Sequence, residues 1–176
     1  MSQRELKHYL KGLNKEQLED QLLDLYHRFK DVKEYYNFAF NPKENELIEQ
    51  CRFAIAKEYF PLSKRKAKAR RSVAQKWIRK LKVLGVGSSL IADVMLYNVE
   101  MAQAWANSKK PGQEGFFRSM AKSFDEAVAF IAENGLQQEF VFRIEKITEE
   151  CFVQNWPNRT QFEKLAALHL HKENGR

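Results

Sequence analysis

The stretch QQEFVFRIEKITEECFVQN, residues 137–155, decides the fold class, because it holds the one place where this chain can be read as a strand. Phe140-Val141-Phe142 joins two aromatic residues through a β-branched one, a chemistry that suits a pleated, half-buried surface. Over the longer window, however, Phe140, Ile144, Ile147, Cys151 and Phe152 keep helical spacing, and a window of this length belongs to a helix. The reading is therefore helix, and no alternating strand pair or hairpin signature stands anywhere else in the chain.

On the N-terminal side, Asn134-Gly135 is the stop signal of a helix from Glu114 to Glu133, marked by Phe117, Met120, Phe124, Ala127, Val128 and Ile131. On the C-terminal side, Trp156-Pro157-Asn158 breaks the pattern, and Asn158 or Thr160 starts a last helix through Phe162, Leu165, Ala166 and Leu168. Upstream of the turn-rich Asn107–Gly112 connection, Ser88 or Ser89 caps an unusually apolar helix that runs to about Ala106. Gly85-Val86-Gly87 separates it from a helix beginning at Ser72, whose core stripe is Val73, Ala74, Trp77, Ile78, Leu81 and Leu84. The segment from Leu62 to Arg71 is short of large apolar side chains and reads as a loop or as the start of that helix.

Further upstream, Leu47, Ile48, Cys51, Ala54, Ile55, Glu58 and Tyr59 line one side of a helix that Asn41-Pro42 opens and Phe60-Pro61 closes. Asn14 with Gln17 caps one long helix through Leu18, Leu22, Leu25, Phe29, Val32 and Tyr36 to about Ala39. Ser2 with Glu5 caps a short first helix that Gly12 ends. The prediction is an all-α protein of seven to eight helices, a compact multi-helix bundle or a short stack of helical hairpins. No repeat of fixed period supports the second form.

At 176 residues the chain is expected to form a single all-helical domain, 1–176, with two small helical lobes as the alternative. Apolar residues make up 44%, enough for a core that needs neither metal nor disulfide. Cys51 and Cys151 each sit in an amphipathic pattern and read as buried free thiols, and without a CxxC pair no redox role is assigned to them. No run approaches the roughly 18 apolar residues of a membrane span. Met1 to Leu10 carries charges every few residues and lacks a signal-peptide core. A cytoplasmic protein without a membrane partner is expected.

The net charge of +7 is uneven. From Pro61 to Lys82 there are ten basic residues and no acidic one, which leaves the rest of the chain at −3. Lys64, Arg65, Lys66, Lys68, Arg70, Arg71, Lys76, Arg79 and Lys80 are the candidate polyanion-binding residues. Lysine and arginine gathered around a helix N-terminus pair with phosphates, and they hold a nucleic acid by displacing its condensed counterions. The bland alternative is a solvated loop that offsets acidic faces on adjacent helices; a third is a surface for an acidic protein. Trp77, though aromatic and beside the cations, falls in the apolar stripe and is assigned to the core.

The second candidate is a polar cluster of Asp93, Tyr97 and Glu100, which offsets of four and three place on one side of the apolar helix. If buried, its carboxylates need partners, and Arg70, Arg71 or Lys76 can supply them. A small-ligand or enzymatic pocket is the sharper reading of the same residues. Asp20, Asp24, His27 and Asp31 also recur at ligand spacing, but so does any solvated helix face, and no metal or other cofactor is assigned. Gly85-Val86-Gly87 lacks the third glycine and the strand of a dinucleotide site.

Several stretches carry a family likeness: Arg4-Glu5-Leu6-Lys7, Leu23-Asp24-Leu25-Tyr26, Val32-Lys33-Glu34-Tyr35-Tyr36, Lys57-Glu58-Tyr59-Phe60-Pro61, Arg70-Arg71-Ser72-Val73-Ala74-Gln75-Lys76 and Leu90-Ile91-Ala92-Asp93-Val94-Met95. They resemble a family of uncharacterised, largely Bacteroidetes, bacterial proteins known only as a domain of unknown function. The likeness is close over roughly the first 105 residues and looser over the remainder, and it implies a small standalone helical protein. No activity comes with it. The functional expectation is a helical binding or scaffold protein for nucleic acid or another polyanion. An interaction module for an acidic protein, and an enzyme or ligand binder using Asp93, Tyr97 and Glu100, are the alternatives.

Overall fold

The computed structural model describes residues 2–63 and 66–170 and places nine α-helices among them. These are α1 (Gln3–Lys11), α2 (Lys15–Arg28), α3 (Lys30–Phe40), α4 (Glu44–Tyr59), α5 (Arg71–Leu84), α6 (Ser88–Lys109), α7 (Glu114–Glu133), α8 (Gln137–Val153) and α9 (Arg159–Leu170). No strand occurs among the described residues. The ambiguous run is helical: Phe140, Ile144, Ile147 and Cys151 are buried on α8, while Phe142 points outward and is 82% exposed. Phe152, expected in the stripe, is exposed.

The count exceeds seven or eight because the long helix expected to reach Ala39 is broken at Phe29, whose backbone is extended at φ −115° and ψ 116°. The Phe29 N–H still closes α2 on the Leu25 carbonyl, and the Phe29 carbonyl accepts from Lys33 to open α3. Neither glycine nor proline announces this break. Across the bend the Tyr26 hydroxyl donates to Asn37 Oδ1 at 2.9 Å, and α2 packs on α3.

Contacts divide the chain into two compact units, Met1–Lys43 and Glu44–Arg176. The first is built from local signals. Ser2 and Glu5 form one capping box and Asn14 and Gln17 another, each satisfying two helix N-terminal N–H groups reciprocally. None of its described side chains is buried, so its three helices lack a core of their own.

The second unit holds the core, organised around α6. Ile91, Val94, Met95, Leu96 and Val99 are buried over a broad face of that helix, which leaves one side for Asp93, Tyr97 and Glu100. Ala92, Ala102 and Ala106 add small buried side chains where neighbours approach closely. Helix α6 packs against α4, α5, α7 and α8, and α9 lies on α7 and α8. The cap of α6 is Gly87 and not a serine. The Ser88 hydroxyl instead donates to Asn134 Oδ1 at 2.9 Å, and Ser89 bonds the Glu139 carboxylate. Gly85 ends α5 at φ +75°, a left-handed conformation that a side chain resists.

Hydrogen bonds satisfy several interior polar groups, while Arg52 Nε, Trp105 Nε1, Gln137 Oε1 and Asn158 Oδ1 are buried without one. Tyr59 donates to Asn98 Oδ1 at 3.1 Å, and Gln103 Nε2 donates to the Ile147 carbonyl at 2.7 Å and to Cys151 Sγ at 3.2 Å. Cys51 and Cys151 are buried free thiols, each raised to a pKa of about 12 by burial. Among the described residues no helix is long and apolar enough to cross a membrane.

Candidate functional site

The basic segment begins where α4 ends. Carbonyls in the last turn of a helix lack intrahelical partners. The Glu58 carbonyl fills this need with the N–H groups of Lys68 and Ala69, each at 3.1 Å. The carboxylate of the same residue accepts from Nε and Nη2 of Arg70, both at 2.9 Å, in a bidentate pair. The chain after residue 65 is thus clasped to the C-terminal end of α4, the negative pole of that helix. Ala69 is held at φ 47°, a left-handed conformation unusual for alanine. Hydrogen bonds from Arg70 keep the Glu58 carboxyl below its ordinary pKa.

Arg70 and Arg71 open α5, an end of a helix where positive charge is unfavourable and where no acidic residue stands in the first turn. Carboxylates from neighbouring helices compensate. Glu58 meets Arg70, and Glu126 of α7 meets Arg71 Nη2 at 2.5 Å while Arg71 Nε donates to the buried Ser123 hydroxyl at 2.9 Å. Arg71 is thus fastened into the protein, whereas Arg70 is paired but keeps a side chain 52% exposed.

The other cations behave differently. Lys66, Lys68, Lys76 and Arg79 are exposed, and none forms an ion pair among the described residues, although the charge of Lys68 acts on the Glu58 carboxylate. Lys76 and Arg79 share the outer face of α5 with Ser72 and Val83, opposite the buried Ala74, Ile78 and Leu81. Lys80 lies over the Trp77 ring at 5.7 Å. Trp77 is half-buried under that ammonium and does not belong to the fully enclosed core assigned to it from its spacing. Lys64 and Arg65 lie outside the described residues.

Between α4 and residues 66–70 the surface is concave. One groove is lined by Lys57, Leu62, Lys66 and Lys68 around the Glu58–Arg70 pair. A second, sharing Pro61, Ser63 and Lys66 with the first, runs past Phe60 and Ala67 to Trp105 and Lys109. Phe60 is 43% exposed, and Trp105 is half-buried with its ring 5.2 Å from that of Phe116. Lys57 and Lys109 join the basic surface only in three dimensions; nothing in their local sequence marks them.

The second candidate, Asp93, Tyr97 and Glu100, is brought together on α6 as the spacing predicts, but its partners differ from those expected. Arg70, Arg71 and Lys76 are engaged elsewhere or exposed. The carboxylates are met by Arg52 of α4 and Arg143 of α8. Arg52 Nη2 donates to Asp93 Oδ2 at 2.6 Å, and its guanidinium lies 5.5 Å from the centre of the Tyr97 ring. Arg143 donates to Glu100 through Nε at 2.6 Å and Nη2 at 2.8 Å, and to Asp93 through Nη1 at 2.6 Å. Burial works against the charge of Arg143, but Glu100 and Asp93 outweigh it and raise its pKa. Two arginines and two carboxylates thus tie α4, α6 and α8 into one polar seam.

Asp24, in the aspartate and histidine series of α2, pairs with Arg28 at 2.8 Å. Among the described residues no group of three or more His, Cys, Asp or Glu side chains is placed to hold a metal ion.

Neither a curated protein nor a solved structure matches the chain. A family model covers residues 1–169, well past the stretch whose residues carry the likeness. The chain belongs to the family of unknown function DUF6155.

Proposed function

We propose that the chain is a binding protein that holds a phosphate-rich polymer, nucleic acid foremost, along the surface formed by residues 66–68 and the outer face of α5. The observation that carries this reading is the division of the basic segment. The nearby carboxylates, Glu58 and Glu126, are paired with Arg70 and Arg71, which leaves Lys66, Lys68, Lys76 and Arg79 exposed and outside any ion pair among the described residues. Such cations are the groups that replace counterions on a phosphate backbone, and they fix its position without reading its sequence. The contacts of Asp93, Tyr97 and Glu100 support a structural role, because the oxygens of both carboxylates are held by arginines.

A test is titration of a fluorescently labelled generic nucleic acid at low salt, with wild type and with Lys66→Glu/Lys68→Glu/Arg79→Glu. At on the order of 1 kcal/mol for each reversed charge, the triple variant binds roughly a hundredfold more weakly. Its far-UV circular dichroism stays unchanged, since all three side chains are exposed. Failure of the wild type to bind at low salt overturns the reading.

An acidic protein partner is the second reading. Leu62 and Val83, 78% and 67% exposed, are apolar side chains standing beside the cations, an arrangement suited to a protein surface. Under it, Leu62→Ser and Val83→Ser weaken capture of the partner while leaving nucleic-acid titrations flat for every variant.

A further inference from the structure

We infer that the groove between the end of α4 and residues 66–70 takes single-stranded nucleic acid, with a base lying against Phe60 and Trp105 and flanking phosphates on Lys66, Lys68 and Lys109. This rests on the phosphate-polymer reading and narrows it to one class of strand.

A duplex is a stiff rod with its phosphates outside and its base faces stacked inside, so it offers no free base face to a ring at the wall of a groove. Here Lys66 and Lys109 line a concavity together with Phe60 and Trp105. A phosphate backbone alone cannot fill such a space favourably, because phosphate needs water or donors, the Phe60 ring offers neither, and the one donor of the Trp105 ring, Nε1–H, is itself buried. A planar base does fill it, and does so without sequence preference because every base presents a π-face. Single strands supply unstacked bases and a flexible backbone that bends cations and ring contacts into one path; duplexes hold their bases stacked inside.

Chemistry points the same way. Phe60 follows the buried Tyr59 and keeps much of its own ring in solvent. Lys66 lines both grooves, so one ammonium lies between the ring-lined part and the part that Lys57 and Lys68 line. The second groove gathers Lys66 and Lys109 with the rings of Phe60 and Trp105, the combination of cation and ring that the phosphates and bases of a polynucleotide require. The Arg70–Glu58 pair fixes the adjoining wall by anchoring the loop to α4, which leaves the lysines to meet the ligand.

The experiment uses the full chain and three probes of matched charge at low salt: an oligothymidylate of about a dozen nucleotides, a hairpin duplex, and inorganic polyphosphate, which has no bases. Wild type is expected to bind the single strand at least about tenfold more tightly than either of the other two. Phe60→Ala brings the single strand down to the polyphosphate level and leaves the polyphosphate affinity unchanged, while Lys66→Ala/Lys68→Ala weakens all three. Trp105→Phe preserves a ring in the groove and retains the preference, and circular dichroism verifies the fold of each variant. Equal binding of the three probes, or a Phe60→Ala variant that keeps the preference, overturns the inference and leaves the phosphate-polymer reading standing. No binding of any probe overturns both.

Discussion

Replacing Arg143 by methionine removes the guanidinium that joins Asp93 and Glu100 while keeping the length and apolar stem of the side chain. Arg143 makes four hydrogen bonds, at 2.6 and 2.8 Å to Glu100 and at 2.6 and 3.2 Å to the Asp93 carboxylate and carbonyl. Each bond to a charged group nets about 1.5–3 kcal/mol when buried, and removing one member of a buried ion pair costs about 3–5 kcal/mol. The side chains of Arg143, Asp93 and Glu100 are 25%, 21% and 31% exposed, so water screens part of this interaction. Asp93 also keeps Arg52. The expected net cost is about 2–3 kcal/mol, read as a lower urea midpoint at constant m in circular-dichroism unfolding. Adding Glu100→Gln to Arg143→Met recovers about 1 kcal/mol by neutralising the carboxylate left without its partner. An Arg143→Met protein within about 0.5 kcal/mol of wild type refutes the view that this seam holds α4, α6 and α8 together.

Three further outcomes follow from the same structure. The Glu58 pKa is depressed by Arg70, so the stability from that clasp is fully present above the ordinary carboxylate value of 4.5 and is lost as pH falls through the lower folded value; Glu58→Gln should flatten this acid limb of a stability-against-pH curve. Cys51 and Cys151, buried and with pKa values raised to about 12, should resist iodoacetamide in the native protein and react once denaturant is added. Residues 44–176 contain every described buried side chain, so this segment expressed alone should unfold in one cooperative transition, whereas residues 1–43 alone should give a weak helical signal that melts broadly.

Much of the fold is legible in the sequence where a rule is local. The two capping boxes, the glycine after Leu84 and the spacing of Phe140, Ile144, Ile147 and Cys151 each name a helix or its end, and each is found. The break at Phe29 is not legible, because apolar periodicity continues through it and a single extended residue leaves no signature in composition. The same division governs the sites. Asp93, Tyr97 and Glu100 fall together because one helix spaces them, yet Arg52 and Arg143 lie 41 and 50 residues from Asp93 and reach it only through packing. Glu58 is hidden within an apolar stripe, although it decides how residues 68–70 are held. Lys57 and Lys109 flank the groove without belonging to the basic run. Charge counting alone overstates the binding surface at Arg70 and Arg71 and misses these two lysines.

On the proposed function, Lys66, Lys68, Lys76 and Arg79, exposed and outside any ion pair among the described residues, hold a phosphate backbone. The measurement that tests it most directly is the affinity of the wild-type chain for a short single-stranded oligonucleotide across a salt series. With about five phosphates neutralised and roughly 0.7 counterions released at each, log K should fall against log salt with a slope of about −3 to −4, and Lys66→Glu/Lys68→Glu/Arg79→Glu should make that slope much shallower. A slope near zero, or a wild-type slope that the triple substitution leaves unchanged, contradicts the account.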